Sequence, residues 1–389
     1  MNLYSALHWM LLAAVAASTA YSIIALYGVI RFLALRRKTR AGAKQSYTPP
    51  ISVLKPLHGL DRELNENIES FCLQDYPEYE ILFSVREEAD PAVAVVRELE
   101  KKHPKARMRL LVIGKPKYLN AKVHGLEKMA EAAAHEILVI NDSDVRVMPD
   151  YLRSVVGPLE DPRTGLVTCI SRGVAGNSLW SALEALSMNL QFLPGVLAAW
   201  VLAGLKFSLG PTMVTRKAQV KEMGGFGKLG EYLADDFVLG EFIAQAGYRI
   251  VLSTYIPDHL VCNEEMECSL RHRLRWERSS RRSRPAGYFG QIFMHSLPLA
   301  LLAWLLTPAG NPVVMPLVAI CLAARAALVW MTAAPLLNDL AFRRYWWLTP
   351  IQDLAGFVIW CWGMFGKEIE WRGARFRVLK GGKLEAAKS

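Results

Sequence analysis

The two ends of this 389-residue chain are apolar over lengths that match a lipid bilayer. Residues 1–30 carry no formally charged side chain, and neither do residues 291–324. A predominantly apolar run of about 20 residues is long enough to cross the hydrocarbon core as a helix. With 52% hydrophobic residues and a mean hydropathy of +0.17, the chain is also too apolar for an ordinary soluble enzyme. We therefore expect an integral membrane protein.

The N-terminal run is predicted to be an uncleaved anchor, residues 1–35. Its basic residues follow the apolar run, whereas a cleavable signal peptide carries its positive charge before it. Those basic residues are Arg31, Arg36, Arg37, Lys38 and Arg40. The positive-inside rule then places the N-terminus outside and the chain from residue 31 onward in the cytoplasm.

The C-terminal block of transmembrane segments is predicted over residues 288–370. Residues 308–312 divide it into spans joined by a tight turn, and a last apolar stretch runs from about residue 348 to 365. The sequence leaves open whether this last stretch crosses the membrane or is re-entrant. Arg325 falls near the middle of a span, where an uncompensated charge costs about 2.5–3.5 kcal/mol. We expect it to pair with a partner such as Asp353; the alternative is that it lines the route of the acceptor.

Between the ends, residues 48–287 have the mixed composition of a globular cytoplasmic domain. Residues 192–205 are a short apolar exception containing Pro194, and we interpret them as an interfacial or re-entrant segment. A basic tail covers residues 371–389. The net charge of +10 is concentrated beside the predicted membrane segments, so it fits anionic lipid headgroups better than nucleic acid.

The globular region alternates between strand and helix patterns, which predicts an α/β fold with a largely parallel sheet covered by helices. The predicted strands are residues 51–56, 80–85, 109–113 and 136–140, and predicted helices cover 61–74 and 91–103. Ligands of such sheets bind where the strands end, at their carboxyl edge.

Acidic residues follow two of these strands. Asp142 and Asp144 end the strand that begins at residue 136, and Asp90 follows the strand 80–85. Two carboxylates this close suit a hard divalent cation whose shell is completed by phosphate. The alternatives are an Asx turn for the first pair and a plain turn residue for Asp90. Lys122 is either a solvated helix lysine or a point charge for a phosphate or a uridine carbonyl.

Two further segments carry candidate chemistry. Asp235 and Asp236 open a helix that runs to Gln245; acids there either stabilise the helix dipole or supply a general base. Because adjacent residues point in different directions, we expect at most one of them to face a site. Residues 271–276 combine arginines with Trp276, which fits phosphate binding with stacking or a basic, aromatic membrane boundary.

Taken in order, these elements resemble the membrane-bound, inverting GT-A glycosyltransferases related to family 2, and more narrowly the ceramide glucosyltransferase family, family 21, with its bacterial relatives in hopanoid biosynthesis. The resemblance covers nearly the whole chain. It is carried by the residues Leu54-Lys-Pro-Leu57 with Gly59, Asp75-Tyr-Pro77, Asp90, Asn120-x-Lys122, Asp142-Ser-Asp144, Asp235-Asp236, His272-Arg-Leu-Arg275-Trp276 and Trp371-Arg-Gly373.

The resemblance implies a Rossmann-like, nucleotide-sugar-binding GT-A domain and a role for each matching residue. Asp90, Lys122 and His272 would contact the nucleotide sugar, and Asp142 with Asp144 would hold Mg²⁺ or Mn²⁺ on its diphosphate. Asp236 would be the base. Arg275 and Trp276 would be catalytic residues too, with the charge of Arg275 stabilising the departing diphosphate. The family writes its last motif (Q/R)-x-x-R-W, so His272 departs from the pattern at the first position.

The implied reaction moves a hexose from a UDP-sugar to a hydroxyl of a membrane lipid, ceramide being the expected acceptor. An alternative is transfer of N-acetylglucosamine to a hopanoid, bacteriohopanetetrol. A processive polysaccharide synthase and an inert membrane-docked binding protein are further alternatives. The expected location is the bacterial inner membrane, with the catalytic domain in the cytoplasm.

Overall fold

The computed structural model describes residues 3–41, 47–262, 264–307 and 311–387. The strands are β1 (Ile51–Pro56), β2 (Tyr79–Val85), β3 (Arg107–Val112), β4 (Ile137–Ile140), β5 (Val145–Arg146), β6 (Thr164–Thr168), β7 (Arg172–Val174), β8 (Met213–Arg216), β9 (Arg249–Leu252), β10 (Asp258–Leu260), β11 (Glu368–Trp371), β12 (Ala374–Val378) and β13 (Leu384–Ala386). The helices are α1 (Leu3–Ala41), α2 (Leu64–Cys72), α3 (Ala92–Lys102), α4 (Ala121–Ala132), α5 (Tyr151–Val156), α6 (Leu179–Ser187), α7 (Leu193–Ala203), α8 (Lys217–Glu222), α9 (Asp235–Gln245), α10 (Met266–Ser283), α11 (Pro285–Gly290), α12 (Ser296–Leu305), α13 (Val314–Met331), α14 (Leu340–Tyr345) and α15 (Thr349–Gly363).

The chain forms two compact units. The helical unit comprises Met1–Arg37, Arg172–Gly204 and Asn263–Ile369, and the sheet unit comprises Lys38–Ser171, Leu205–Cys262 and Glu370–Ser389. This division differs from the predicted domain boundaries, because residues 172–204 and 263–287 group with the apolar helices rather than with the sheet. Both segments contain helices, α6 and α10, that pack against each other and against α15.

The sheet unit confirms the predicted α/β class. Its main sheet has seven strands in the order β3-β2-β1-β4-β8-β6-β9. The first four are parallel, as predicted, while β8 runs antiparallel to both β4 and β6. All six residues of β1 are buried, as expected for a strand covered on both faces. The carboxyl ends of β1, β2 and β4 therefore lie along one edge.

The core of the sheet unit follows from the helical periodicity of its sequence. Leu64, Ile68 and Phe71 are buried on one face of α2, and Val93 with Val96 on one face of α3. They join the inward side chains of β1, β2 and β4 in a single cluster. Burial of side chains of this size contributes roughly 1.5–3 kcal/mol each, so the packing of this cluster holds the strand ends in place.

The helical unit contains the predicted apolar helices. Among the described residues, three are long and apolar enough to cross a membrane, Ala6–Ala41, Leu179–Ala203 and Val314–Leu336. A bent pair, Pro285–Met294 with Ser296–Leu305, passes the same test jointly, with a 64° change of direction. The predicted N-terminal span is thus a continuous helix. The predicted turn at residues 308–312 lies partly outside the described residues.

The segment 192–205 was predicted to be short and broken at Pro194, and the structure differs on both points. It is the second half of a continuous 25-residue stretch, Leu179–Ala203. Pro194 is the second residue of α7, which follows the π turn Met188–Phe192 directly. Met188–Phe192 wind as a π turn that joins α6 to α7 without a break. The interfacial or re-entrant position of residues 192–205 stays a prediction.

The last apolar stretch is a 15-residue helix, α15. At about 1.5 Å per residue it is shorter than the roughly 30 Å hydrocarbon core. The predicted pairing of Arg325 with Asp353 is confirmed. The Arg325 Nε lies 3.0 Å from Asp353 Oδ2 and its Nη2 lies 2.6 Å from Oδ1, a bidentate pair that satisfies both buried charges.

Candidate active site

A buried amide side chain, that of Asn141, stabilises the edge of the sheet where β4 ends. The Asn141 side chain, fully buried, donates hydrogen bonds of 2.7 Å to the Tyr151 hydroxyl and to the Pro211 carbonyl. Because β8 runs antiparallel to β4, the loop before β8 returns to the point where β4 ends. Asn141 fastens that loop beside Asp142.

A buried lysine joins the acids of this edge. The Lys122 Nζ lies 2.7 Å from Asp142 Oδ1 and 3.4 Å from Asp235 Oδ2. Burial on its own lowers the pKa of Lys122, but the negative charges of Asp142, Asp235 and Asp236 outweigh it and raise the pKa above its usual value. Lys122 is therefore a permanent cation, and the solvated-lysine alternative does not hold for this buried side chain.

Asn120 orients Lys122 and one of its two acidic partners, Asp235. Its side-chain oxygen caps α4 by accepting the Lys122 N–H at 3.1 Å, and its amide donates to Asp235 Oδ1 at 3.1 Å. The same amide donates to the Tyr232 carbonyl at 2.9 Å. Asp235 thus contributes to the cluster, which the sequence analysis did not predict. The only local signal was an N-cap residue type two positions before a lysine.

The side chain of Asp236 converges with that of Asp142 on a glycine. A Cβ on Gly210 would lie 2.9 Å from Asp142 Oδ2 and 3.0 Å from Asp236 Oδ2, so any larger residue would clash with both carboxylates. The Phe237 N–H donates to Asp236 Oδ1 at 2.8 Å. Removal of water by the surrounding protein, with the charge of Asp235, raises the pKa of Asp236 to about 6, although Lys122 opposes this. Both Asp235 and Asp236 face the cluster, so the prediction that at most one would do so was wrong.

The arrangement suits a divalent cation only in part. Asp142 and Asp236 offer the oxygen donors that Mg²⁺ and Mn²⁺ prefer. Among the residues that the structure describes, no three His, Cys, Asp or Glu side chains come close enough to hold an ion by themselves. Mg²⁺ is commonly bound by one or two carboxylates together with substrate phosphates. The site fits that mode, in which the ligand completes the shell.

Asp144 points to a different partner from Asp142. Its Oδ2 lies 3.2 Å from the Nε2 of His259 on β10, and β10 pairs with β5 directly after the turn. The intervening Ser143 hydroxyl bonds Asp61. The turn after β4 separates the two acids, and nothing in the local sequence indicated His259. The metal role of Asp144 stays a prediction.

Asp90 is buried at the end of β2, where it orders two loops. Its carboxylate accepts the Gly59 N–H at 3.1 and 3.2 Å and the Ala92 N–H at 3.0 Å. The exposed ring of His58 lies 3.7 Å from Asp90 Oδ2. Asp90 is thus more than a turn residue before Pro91, and its contact with a nucleotide stays a prediction.

Lys55 is a site residue that the structure adds. It is fully buried in β1, and its Nζ donates to the Asp142 carbonyl at 2.8 Å while lying 3.9 Å from the centre of the Phe71 ring. Burial lowers the pKa of Lys55 to about 7, although the charges of Asp144 and Asp142 act to raise it. A lone lysine inside an otherwise apolar strand was the available signal.

The remaining predicted residues lie on α10, in the helical unit. The His272 Nδ1 lies 2.6 Å from the buried Glu184 Oε1, and the Ser269 hydroxyl donates to Glu184 Oε2 at 2.6 Å. The rings of His272 and Trp276, one turn apart, are 4.8 Å apart. Arg275 lies on the same helix. The structure thus brings Lys122, Asp142 and Asp236 together in the sheet unit, while His272, Arg275 and Trp276 form a second group in the helical unit.

Comparison with known proteins gives a match along most of the chain. Residues 10–384 match the profile described as Glycosyl transferase family 21. Ceramide glucosyltransferase 1 of Caenorhabditis elegans is 29% identical over 263 residues, which is 65% of this chain and 56% of that protein. Ceramide glucosyltransferase 3 of the same organism is 30% identical over 217 residues, 54% of this chain and 46% of that protein. The chain spans about half the length of these curated relatives.

The solved structures with a similar chain trace include a mannosyltransferase and TarS. A mannosyltransferase of Pyrobaculum calidifontis, in complex with GDP-Man and Mn²⁺, is 20% identical with a TM-score of 0.48, covering 90% of this chain and 99% of that one. TarS 1–349 of S. aureus, in complex with UDP-GlcNAc, is 13% identical with a TM-score of 0.40, covering 87% of this chain and 100% of that one.

Proposed function

The chain belongs to glycosyltransferase family 21, and we propose that it moves a hexose from a UDP-sugar to a hydroxyl of a membrane lipid, with ceramide as the expected acceptor. The observation that carries this proposal is the convergence of Asp142, Asp236 and Lys122 at the carboxyl edge of the sheet. The names of the relatives support a lipid acceptor, and the apolar helices would bring such an amphiphile to the protein without extracting it into water.

In the proposed mechanism Asp236 acts as the base. Its carboxylate takes the proton of the acceptor hydroxyl as the hydroxyl oxygen attacks the anomeric carbon. The bond from that carbon to the diphosphate breaks, and UDP leaves with the electron pair on the face opposite the attack. The anomeric configuration is therefore inverted. The raised pKa of Asp236 makes it a stronger base than an ordinary aspartate, while leaving it ionised at neutral pH.

The other side chains of the site, together with a bound cation, would offset the negative charge of the acids and of the sugar diphosphate. Lys122 offsets one of the three negative charges of Asp142, Asp235 and Asp236, so an anionic donor needs a divalent cation as well. A divalent cation held by Asp142, with Asp144 as the further predicted ligand, would neutralise the departing diphosphate. Arg275, Trp276 and His272 are assigned to the donor by the resemblance, as is Asp90. The proposed orientation places the sheet unit in the cytoplasm, where UDP-sugars are made.

The test is a transfer assay with the purified full-length chain in detergent, using UDP-glucose, Mg²⁺ or Mn²⁺ and a short-chain ceramide. We expect glucosylated ceramide to form, and Asp236→Asn to reduce its rate by about 10²- to 10⁴-fold, the contribution typical of a general base. Binding of UDP-glucose to Asp236→Asn should stay within a few-fold of the unsubstituted protein.

Glu231→Gln is the matched control, because it removes one negative charge from an exposed position just before the site. Its rate should be unchanged. Normal turnover by Asp236→Asn would remove Asp236 from the mechanism, and absence of transfer to any lipid by the unsubstituted chain would contradict the proposed function.

A further inference from the structure

The irregular helix segments of the helical unit include two that lie beside one group of buried polar side chains. Met188–Phe192 form a π turn between α6 and α7, and His295 marks the 64° bend between the paired segments Pro285–Met294 and Ser296–Leu305. Within a membrane, irregular backbone is tolerated only where protein or a polar cavity satisfies it. Broken helices in membrane proteins commonly line substrate sites, and π turns are frequent at functional sites.

The first of these irregularities contacts the buried ion pair. The Arg325 Nη1 donates to the carbonyl of Leu190, inside the π turn, at 2.8 Å. The next residue, Gln191, donates from its amide to Asp353 Oδ1 at 3.2 Å. Arg325 and Asp353 neutralise each other, so the group as a whole carries no net charge. An ionisable pair inside a membrane block is a marker of a functional site.

A second glutamine extends the group. The Gln352 amide, 1% exposed, donates to Gln191 Oε1 at 3.2 Å. Gly356 makes room for the Gln191 amide, because a Cβ on Gly356 would lie 2.7 Å from Gln191 Oε1. His295, 5% exposed, packs its ring 5.5 Å from Phe357 and 5.8 Å from Trp360, on the same helix α15 that carries Gln352 and Asp353. Asp353 and Arg325 are within electrostatic range of His295.

Several polar atoms of this group lack a partner within the described part of the chain. They are Gln352 Oε1, His295 Nδ1 and the Tyr21 hydroxyl, which lies near Gly195. By contrast, the backbone at the helix bend is satisfied, since the Ser18 hydroxyl donates to the Phe293 carbonyl at 2.8 Å. A buried polar atom without a partner is unfavourable, and more so where no bulk water is available. Apolar side chains would fill these positions at less cost if packing were their only role.

We propose that this intramembrane polar cluster, defined as Tyr21, Gln191, His295, Arg325, Gln352 and Asp353, binds the polar headgroup of the acceptor lipid. The inference rests on the proposed function, which supplies the acceptor. The free positions define the ligand: Gln352 Oε1 can only accept a hydrogen bond, while the Tyr21 hydroxyl and a histidine nitrogen can accept or donate. With no net charge in the cluster, the ligand is a neutral lipid that carries hydroxyl or N–H donors, rather than an anionic phospholipid.

The test compares polar-to-apolar substitutions that keep side-chain volume. His295→Phe retains an aromatic ring between Phe357 and Trp360, and Gln352→Leu retains the branched shape of the amide. Thr332→Val is the matched control, because the buried Thr332 hydroxyl is satisfied within its own helix by the Leu328 carbonyl at 2.8 Å. All three remove one polar group from the same unit.

We expect His295→Phe and Gln352→Leu to raise the KM for a short-chain ceramide by up to about tenfold, the loss of one hydrogen bond. The KM for UDP-glucose should change less than twofold. The melting temperature of His295→Phe should stay equal or rise, because an unpartnered polar atom has been removed, whereas Gln352→Leu also removes the hydrogen bond to Gln191 Oε1 and should lower it slightly. Thr332→Val should leave the KM for ceramide unchanged. A purely structural cluster, or one that holds only water, would leave that KM unchanged in all three variants and overturn the inference.

A binding assay separates this inference from the proposed function. The full-length chain in phosphatidylcholine nanodiscs, without UDP-sugar, is labelled with a diazirine-bearing ceramide. Labelling that falls in His295→Phe and Gln352→Leu but not in Thr332→Val supports the cluster even if no sugar is ever transferred. Labelling equal in all variants overturns it even if the transferase activity is present. A diazirine-bearing phosphatidylserine that labels as strongly would also contradict the neutral-ligand assignment.

Discussion

At the scale of single residues, the candidate site is a balance of buried charges. Three aspartates and one lysine share a small volume: the acids raise the pKa of Lys122, while burial and the charge of Asp235 raise the pKa of Asp236. A buried pair contributes little net stability when complete, but removal of one partner leaves an uncompensated charge. Lys122 is therefore the residue whose loss the sheet unit should tolerate least.

Lys122→Met should lower the free energy of unfolding by about 3 kcal/mol, the cost of breaking a buried pair. Asp235 is left without its cation, and Asp142, whose side chain is 31% exposed, is partly rescued by water. The double variant Lys122→Met/Asp235→Asn should recover much of the loss, because one of the stranded charges is gone. Urea unfolding in detergent micelles measures all three proteins.

Lys117→Met is the control for this series. Lys117 forms an exposed pair with Glu127 at 3.8 Å, and such pairs contribute about 0–1 kcal/mol. A double variant as unstable as Lys122→Met alone would show that Asp235 is not the charge that Lys122 balances.

At the scale of elements, the C-terminal tail holds the segment that leads into the site. The Leu233 N–H donates to the Gly382 carbonyl at 3.1 Å, and the Leu384 N–H donates to the Glu231 carbonyl at 2.6 Å. These bonds are flanked by the β12–β13 hairpin. Tyr232 lies between the two bonded residues, and its carbonyl accepts a hydrogen bond from the Asn120 amide. The same amide donates to Asp235. The tail is thus part of the scaffold of the candidate site and more than a basic extension.

Leu384→Pro should reduce the transfer rate by about tenfold or more, since small misplacements of catalytic groups have effects of up to about 10²-fold. The substitution removes the N–H that bonds Glu231, so residues 231–236 lose one of their two main-chain anchors to the tail. Hydrogen–deuterium exchange should show faster exchange of that segment.

Leu384→Ala keeps the N–H and tests the side chain alone. Lys383→Met removes the exposed ion pair with Glu231 and the charge that lies 5.5 Å from the Tyr232 ring, but keeps both main-chain bonds. If Leu384→Ala matches Leu384→Pro in both rate and exchange, packing of the leucine rather than the main-chain bond anchors the tail.

At the scale of the whole molecule, the chain combines a nucleotide-type α/β unit with a unit of apolar helices. Most of its net charge of +10 flanks those helices. The proposed function requires this combination, because its donor is a water-soluble nucleotide sugar and its acceptor is a membrane lipid.

Mass spectrometry of lipids from cells with and without this chain should show loss of a glucosylated sphingolipid in its absence. Complementation with Asp236→Asn should fail to restore the lipid, whereas Glu231→Gln should restore it. Loss of a glycosylated hopanoid instead would assign the acceptor to the alternative branch, and no change in either lipid class would contradict a lipid glycosyltransferase.

Sequence alone determined the features that depend on local periodicity and composition. Uncharged runs predicted the apolar helices, and alternating patterns predicted the parallel strands. The acids at strand ends predicted the edge at which Asp142 lies, and Asp236 was identified from the resemblance. Burial of Leu64, Ile68 and Phe71 followed from their helical spacing. These properties are predictable because a strand or helix fixes the direction of each side chain from its neighbours in sequence.

Only the tertiary structure decided which polar groups meet. The partner of Asp144, the participation of Asp235, the buried position of Lys55 and the anchoring of the tail all join residues far apart in the chain. Such contacts depend on turn geometry and strand order, which residue spacing does not encode. The same reason explains Pro194: its effect depended on a π turn just before it, a backbone irregularity without a local sequence signature.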